Sequence, residues 1–213
     1  MQISLQQIAP VFLEEDKTAE SAIWKHHVDL IKGEHIHIIA SSGRGKTSLM
    51  HFLYGLRNDY SGDILYNGKS IKEFDAEAFS EWRKSHVSIV FQDLRLFPEQ
   101  TVLQNIEIKR SLSPYHNESK ITGMVRRLGI EPKLNKICKT CSYGEQQRIA
   151  IIRALQQPFD FLLLDEPFSH LDENNRKIAM ELIEEECALR KASIILADLK
   201  LIEYFNADKI INL

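Results

Sequence analysis

No apolar run in this chain approaches the length of a membrane span, which excludes a protein that crosses a bilayer on its own helices. Positive charge is not in excess either. The formal net charge is −3, which removes the electrostatic case for a nucleic-acid binder. Cysteine is scarce: Cys138, Cys141 and Cys187 are the only three, and an odd number argues against a disulfide framework. Cys138 and Cys141 form a C-x-x-C with no second pair and no thioredoxin-like context, so they read as small residues in a packed loop. The eight histidines are scattered. His35 and His37 share one face of a strand without a third ligand nearby in sequence, and read as surface or satisfied core residues. The stretch Met1 to Gln7 lacks the basic-then-apolar pattern of a signal peptide, so the expected location is the cytoplasm, with any membrane work done through a partner. There is no internal repeat and no low-complexity segment. A 44% hydrophobic and 27% charged composition over 213 residues fits one ordinary folded domain.

What the sequence does contain is centred on Ile36-His37-Ile38-Ile39-Ala40-Ser41-Ser42-Gly43-Arg44-Gly45-Lys46-Thr47-Ser48. A short apolar run, small residues and then Lys-Thr opening a helical pattern predict a strand, a phosphate-sized loop and a helix. Backbone N–H groups around Gly43 and Gly45 can converge on an anion, and the helix adds its positive end. Lys46 supplies charge for phosphate oxygens, and the Thr47 hydroxyl can ligate Mg²⁺. The segment departs from G-x-x-x-x-G-K-[ST] at its first position, where Ala40 stands. The loop survives that change if the position needs no positive φ.

Along the chain, Ile3 to Leu5 and Ala9 to Leu13 predict short strands, and Glu14 to Glu20 a polar connector. Lys32-Gly33-Glu34 is a turn. A helix from Lys46 carries Leu49, Phe52, Leu53 and Leu56 on one face. Asn67-Gly68 marks a tight turn after a strand, and Phe74 to Trp82 predicts a short helix. Val87 to Phe91 is a strand that delivers Gln92. Thr101 reads as a helix N-cap, Ser111 to Asn117 as a loop and Glu118 to Leu128 as an amphipathic helix. Helices follow at about Tyr143 to Gln156 and Asp172 to Arg190. Phe161 to Leu164 and Ser193 to Ala197 are continuous apolar runs, as strands buried on both faces should be. Strands alternating with helices predict an α/β fold with a mostly parallel sheet.

The strand Leu162-Leu163-Leu164 ends in Asp165-Glu166. In a parallel sheet that end lies beside the phosphate loop, so Asp165 can hold Mg²⁺ and Glu166 can orient or deprotonate water.

With these motifs in this order, nearly the whole chain resembles the ATP-binding cassette family, the nucleotide-binding subunits of ABC transporters. Ala40 to Ser48 (Ala40, Ser41, Ser42, Gly43, Arg44, Gly45, Lys46, Thr47, Ser48) resembles the Walker A loop. Gln92 resembles the Q-loop glutamine, and Leu96 to Ile106 the stretch facing the membrane partner. Cys141 to Arg148 looks like the signature segment, with Ser142, Gly144 and Glu145 as its binding residues. Phe161 to Pro167 resembles Walker B with its catalytic glutamate, and Ser169-His170-Leu171-Asp172 the D-loop. The resemblance implies one domain over 1–213: a P-loop core, an N-terminal antiparallel β-subdomain and an inserted helical subdomain over about 92–140. It implies ATP and Mg²⁺, with Thr47, Gln92 and Asp165 toward the metal and Glu166 and Gln92 in catalysis. It implies a homodimer or paired cassette, an integral membrane permease subunit and no nucleic acid. The branch it looks most like serves lipoprotein release and macrolide-type export.

Cys141, Tyr143 and Glu145 depart from the signature L-S-G-G-Q. Tyr143 is expected to crowd the dimer interface or stack there. The family's switch His, placed by spacing from Glu166, falls on Asp198. A carboxylate facing a phosphate is unfavourable at short range, so hydrolysis is expected to be weakened or differently regulated; the rival reading is a nucleotide-gated module that does not hydrolyse. For the aromatic that stacks on adenine, Phe12 is the first candidate and Trp24 the second.

Overall fold

The computed structural model describes residues 1–213, the side chains of Asp16 and Lys17 excepted. In chain order the elements are β1 (Gln2–Pro10), α1 (Glu15–Ala19), β2 (His27–Ile31), β3 (His35–Ile39), α2 (Lys46–Leu53), β4 (Tyr60–Tyr66), β5 (Lys69–Ser70) and α3 (Ala76–Ser85). There follow β6 (Val87–Val90), α4 (Val102–Leu112), α5 (Glu118–Arg127), α6 (Tyr143–Ala154), β7 (Phe161–Asp165), α7 (Glu173–Arg190), β8 (Ser193–Asp198) and β9 (Lys209–Asn212).

They make two sheets. The first is antiparallel, in the order β2-β1-β4-β5, and the second parallel, in the order β6-β7-β8-β3-β9. The inner strands β7 and β8 of the parallel sheet are buried on both faces, and their residues alternate between two cores with period two. Leu162 and Leu164 of β7, with Ile194 and Leu196 of β8, pack with the helices α4 to α7. Phe161, Leu163, Ile195 and Ala197 pack instead with α2 and the antiparallel sheet. Each fully buried Leu or Ile contributes about 1.5–3 kcal/mol, so the continuous apolar runs are the main anchors of this layer. Helices α4 and α5 come between β6 and β7, which are neighbours in the sheet.

Several local expectations change. Residues 2–10 form a single strand, where two short ones ending at Leu13 were expected. Gln6-Gln7 interrupts the apolar alternation, but the backbone bulges there. Gln7 has φ 52, the register with β4 shifts between Gln6 and Ala9, and Gly62 (φ 75) faces the Gln6 carbonyl where no Cβ would fit. The polar connector contains a turn of helix, α1. Helix α2 stops at Leu53, before Leu56, and α4 runs into the expected loop as far as Leu112. Thr101 does cap α4, in a capping box with Gln104.

His37 is neither a surface nor a satisfied core residue. It is fully buried, its ring edge-on to Phe205, and neither ring nitrogen has a partner. Burial pushes its pKa down, which keeps it neutral. Cys138 and Cys141 are free thiols in the packed interior, as expected.

Candidate nucleotide site

Three strand ends converge at one edge of the parallel sheet. β8 lies between β7 and β3, with Asp165 beside Ala197 and Asp198 beside Ile39. The Ala40 N–H donates to the Asp198 carbonyl at 3.2 Å, and the Glu166 N–H donates to the Ala197 carbonyl at 2.9 Å. The phosphate-sized loop and the acidic strand end therefore hang from adjacent carbonyls of a single strand.

The loop turns on Gly43 (φ 80) and Gly45 (φ 100). Ala40 is absent from the positive-φ residues, so the methyl that replaces a glycine there costs the backbone nothing. Trp24 braces the loop from below. Its indole N–H donates to the Arg44 carbonyl at 3.2 Å, and a Cβ on Gly45 would stand 2.9 Å from its ring. Trp24 is fully buried and edge-on to Phe52, so it cannot stack on a ligand base.

The Lys46 ammonium is 5% exposed and donates to the carbonyls of Ala40 (2.8 Å) and Ser41 (3.2 Å). Oε1 of Glu166 lies 3.3 Å from it. Glu166 has φ 45, a left-handed backbone that a non-glycine residue seldom adopts. The strain turns its side chain back across the sheet edge toward the loop.

Asp165 is fully buried, and neither carboxylate oxygen has a hydrogen-bond partner. Burial pushes its pKa up to about 6, and the charges of Glu166 and Asp93 push the same way; Thr47 and Lys46 oppose them. An orphaned buried carboxylate is costly unless a cation meets it. Beside it the Thr47 hydroxyl donates to Oε1 of Gln92 at 3.0 Å. A carboxylate, a hydroxyl and an amide oxygen are hard donors suited to Mg²⁺, which takes one or two protein ligands and shares the rest with phosphate and water. Among the described residues no cluster of three or more His, Cys, Asp or Glu could hold a metal by itself. The donor set thus fits Mg²⁺ carried with a phosphate.

A cavity of about 230 Å³ opens over this edge. Its walls include Gly43, Lys46, Thr47, Gln92, Glu166 and the half-exposed Phe12. Ser42 and Ser48 also line it, while Arg44 is not among its lining residues and lies 3.9 Å from Glu20.

The other sequence candidates gather on α6. Ser142 caps the helix, accepting from the Glu145 N–H, and the Glu145 carboxylate accepts from the Ser142 N–H at 2.8 Å. Glu145 also pairs with Lys133 at 2.9 Å, and that contact with the cap holds its pKa low. Within this chain its side chain is committed to the cap. Gly144 lies against the His170 carbonyl, which a Cβ would approach to 2.9 Å. Tyr143 reaches across within one chain: its hydroxyl donates to the Gln92 carbonyl at 3.1 Å, and its ring lies 4.2 Å from that of His170. Asp198, the last residue of β8, accepts from the Leu199 N–H at 2.6 Å. Burial raises its pKa, and the nearby Glu166 adds to the effect.

A parallel sheet with a glycine-turned loop, a buried lysine and an orphaned aspartate at one edge defines a P-loop nucleotide-binding protein. The family model for ABC transporters matches residues 25–169. The chain belongs to the ABC transporter family.

The lipoprotein-releasing system ATP-binding protein LolD of Buchnera aphidicola subsp. Schizaphis graminum is 36% identical over 155 residues, 71% of this chain and 68% of that protein. The macrolide export ATP-binding/permease protein MacB of Nitrosomonas europaea is 32% identical over 186 residues, 86% of this chain but 28% of that longer protein. Among solved structures, a dimeric bacterial ABC transporter cassette superposes with TM-score 0.82 at 22% identity, covering 99% of this chain and 94% of that one. That likeness is one of fold. Among the described residues no helix is long and apolar enough to cross a membrane.

Sequence reasoning missed the left-handed Glu166, the brace under Gly45 and the Tyr143 bridge. The tryptophan and tyrosine were visible, but what they touch lies 20 and 51 residues away.

Proposed function

We propose that this chain is the ATP-binding and ATP-hydrolysing subunit of a membrane ABC transporter of the lipoprotein-release or macrolide-export kind. In this reading residues 1–213 are one ATP-binding domain with a helical insertion over about 92–140. It works as a homodimer or paired cassette, held at the cytoplasmic face of the membrane by a permease subunit. The observation that carries the reading is the buried, partnerless Asp165 carboxylate beside Thr47–Gln92 and Lys46–Glu166. The relatives named for lipoprotein release and macrolide export support the branch.

Mg²⁺, when bound, neutralises charge on the phosphate oxygens of the substrate. Thr47, Gln92 and Asp165 are the residues that would hold it. The loop N–H groups around Gly43 and Gly45 bind and orient the phosphates, and Lys46 gives its ammonium to them. Glu166 accepts the proton of the attacking water and Gln92 positions it. Phe12 offers a ring face to adenine. Ser142 and Gly144 present an N-capped helix end to the nucleotide of the partner, which makes turnover depend on dimerisation. Most of the rate then comes from positioning and fixed charge.

A second reading, a hydrolysis-impaired nucleotide-gated module, is favoured by Asp198. Its carboxylate raises the negative charge around Glu166 where the family has a His. The test is Glu166→Gln. The first reading expects it to bind Mg–ATP, dimerise on binding and lose turnover by at least about 100-fold. Equal turnover in parent and variant refutes the assignment, and a parent with no turnover favours the second reading.

A further inference from the structure

Arg57 has no place in the nucleotide site as described so far, yet three contacts direct it there. Its guanidinium carbon lies 4.6 Å from the centre of the Phe12 ring. Its Nε donates to Oδ1 of Asp59 at 2.9 Å, and Nη2 donates to the second oxygen, a bidentate pair that fixes the plane of the fork. Nη1 lies 3.5 Å from the hydroxyl of Ser48, on the first turn of α2. Asp59 grips the Phe12 segment a second time through its backbone, because its carbonyl accepts the Val11 N–H at 3.1 Å. Phe12 itself is half-exposed and forms one wall of the 230 Å³ cavity over the phosphate loop. Arg57 does not line that cavity. It lines a separate groove of about 330 Å³ with Gly55, Tyr60 and Lys72. The aromatic ring is therefore a partition, with the cation behind it and the nucleotide cavity in front.

From this geometry we infer that Arg57 is a positioning residue for the nucleotide base: with Asp59 it holds Phe12 upright from behind, so that the free ring face can stack on the base. The inference rests on the nucleotide reading above and names what gives that site affinity for the base as distinct from the phosphates. A free phenylalanine on a loop loses side-chain and backbone freedom when a base stacks on it. One already clamped between a cation and a cavity has lost that freedom beforehand, and a preorganised site binds more tightly. The cation–π contact is the clamp, and the carboxylate of Asp59 aims it.

The test is calorimetric binding of Mg–ATP and of Mg–tripolyphosphate, which has the phosphates and no base, to the parent, Phe12→Ala, Arg57→Ala and the double variant. Base stacking on an aromatic ring sets the expected size. Arg57→Ala should weaken ATP binding about tenfold, leave tripolyphosphate binding within about twofold of the parent, and add nothing to Phe12→Ala in the double variant. In turnover the loss should fall on KM, with kcat retained. Equal weakening of both ligands means that Arg57 acts through Ser48 or the fold, and overturns the inference. Additive effects of the two variants on ATP binding overturn it as well, because the residues then act independently. A parent that binds both ligands with Arg57→Ala unchanged overturns this inference alone. A parent that binds neither overturns the nucleotide reading and this inference with it. Should Arg57→Ala fail to fold, Asp59→Asn keeps the guanidinium but removes what aims it, and the same outcomes apply.

Discussion

The ammonium of Lys46 lies 3.3 Å from Oε1 of Glu166, although Lys46 opens the helix after β3, Glu166 follows β7, and β8 lies between those two strands. The pair is nearly buried, with side-chain exposures of 5% and 13%, so each charge depends on the other, and the ammonium also on the Ala40 and Ser41 carbonyls. A triphosphate that takes the ammonium also loosens the carboxylate from its partner. Under the proposed function, binding at the loop and release of Glu166 from Lys46 are thus one event.

Removing the cation should therefore have two separable effects. Lys46→Ala is expected to weaken ATP binding about 10- to 100-fold through a lost charged contact. It should also lower the melting temperature, because Glu166 is left without its cation. Adding Glu166→Gln should recover much of the stability and none of the affinity. Thermal melts and calorimetric titration of the parent and the two variants check this; recovery of affinity would contradict it.

The two small-residue positions Gly45 and Ala40 of the loop should differ in their effect on ATP binding. Gly45→Ala puts a methyl at φ 100 and 2.9 Å from the Trp24 ring, and should cost about 1–3 kcal/mol with a rise in the Kd for ATP. Ala40→Gly restores the first glycine of the family pattern at a position with no positive φ. It should leave the Kd for ATP within about twofold and lower stability slightly through added freedom of the unfolded chain. A large gain in affinity from Ala40→Gly would mean that Ala40 does distort the loop.

Asp160 gives the clearest pH dependence. Burial alone would raise its pKa, but Lys32 and His86 together outweigh that and hold it below the usual carboxylate range. The His86 contact is 2.6 Å. A carboxyl whose folded pKa is lowered contributes stability that is present above its unfolded pKa of about 3.9, and that is lost as pH falls through the folded value. Asp160→Asn should cost about 1–3 kcal/mol at pH 7. The gap to the parent should close below about pH 4. Denaturant unfolding at several pH values reads it, and a gap that is constant with pH would exclude the ionic account.

In the proposed reading Asp198 takes the place of the family's switch His, and its carboxylate adds negative charge to the surroundings of Glu166. Asp198→His is expected to raise kcat for ATP severalfold with little change in KM. Unchanged kcat would mean that another residue supplies the switch.

How much of this was legible in the sequence follows from the range of each signal. The phosphate loop, the Asp165-Glu166 strand end and the cap at Thr101 are local patterns, and the structure has them where the residues predict. The two-faced burial of β7 and β8 was legible because an unbroken apolar run has few other uses. Strand β1 was misread as two pieces because Gln6-Gln7 breaks the alternation, and only pairing with Gly62 explains the bulge. The buried ring of His37 could not be foreseen from a strand that alternates polar and apolar residues. Nor could the clamp of Arg57 on Phe12, since a cation 45 residues from a ring carries no periodic signature.

The orphaned Asp165 is the most direct point at which to test the account. The measurement is ATP binding and turnover of the parent and Asp165→Asn across a Mg²⁺ titration, with the melting temperature of each ligand-free protein. An uncompensated buried carboxylate is a burden on the fold, so the asparagine variant should melt at a higher temperature. It should also bind ATP with little dependence on Mg²⁺ and lose turnover by at least about 100-fold. A variant that keeps the Mg²⁺ dependence and the turnover of the parent would contradict the claim that this edge of the sheet is an ATP site.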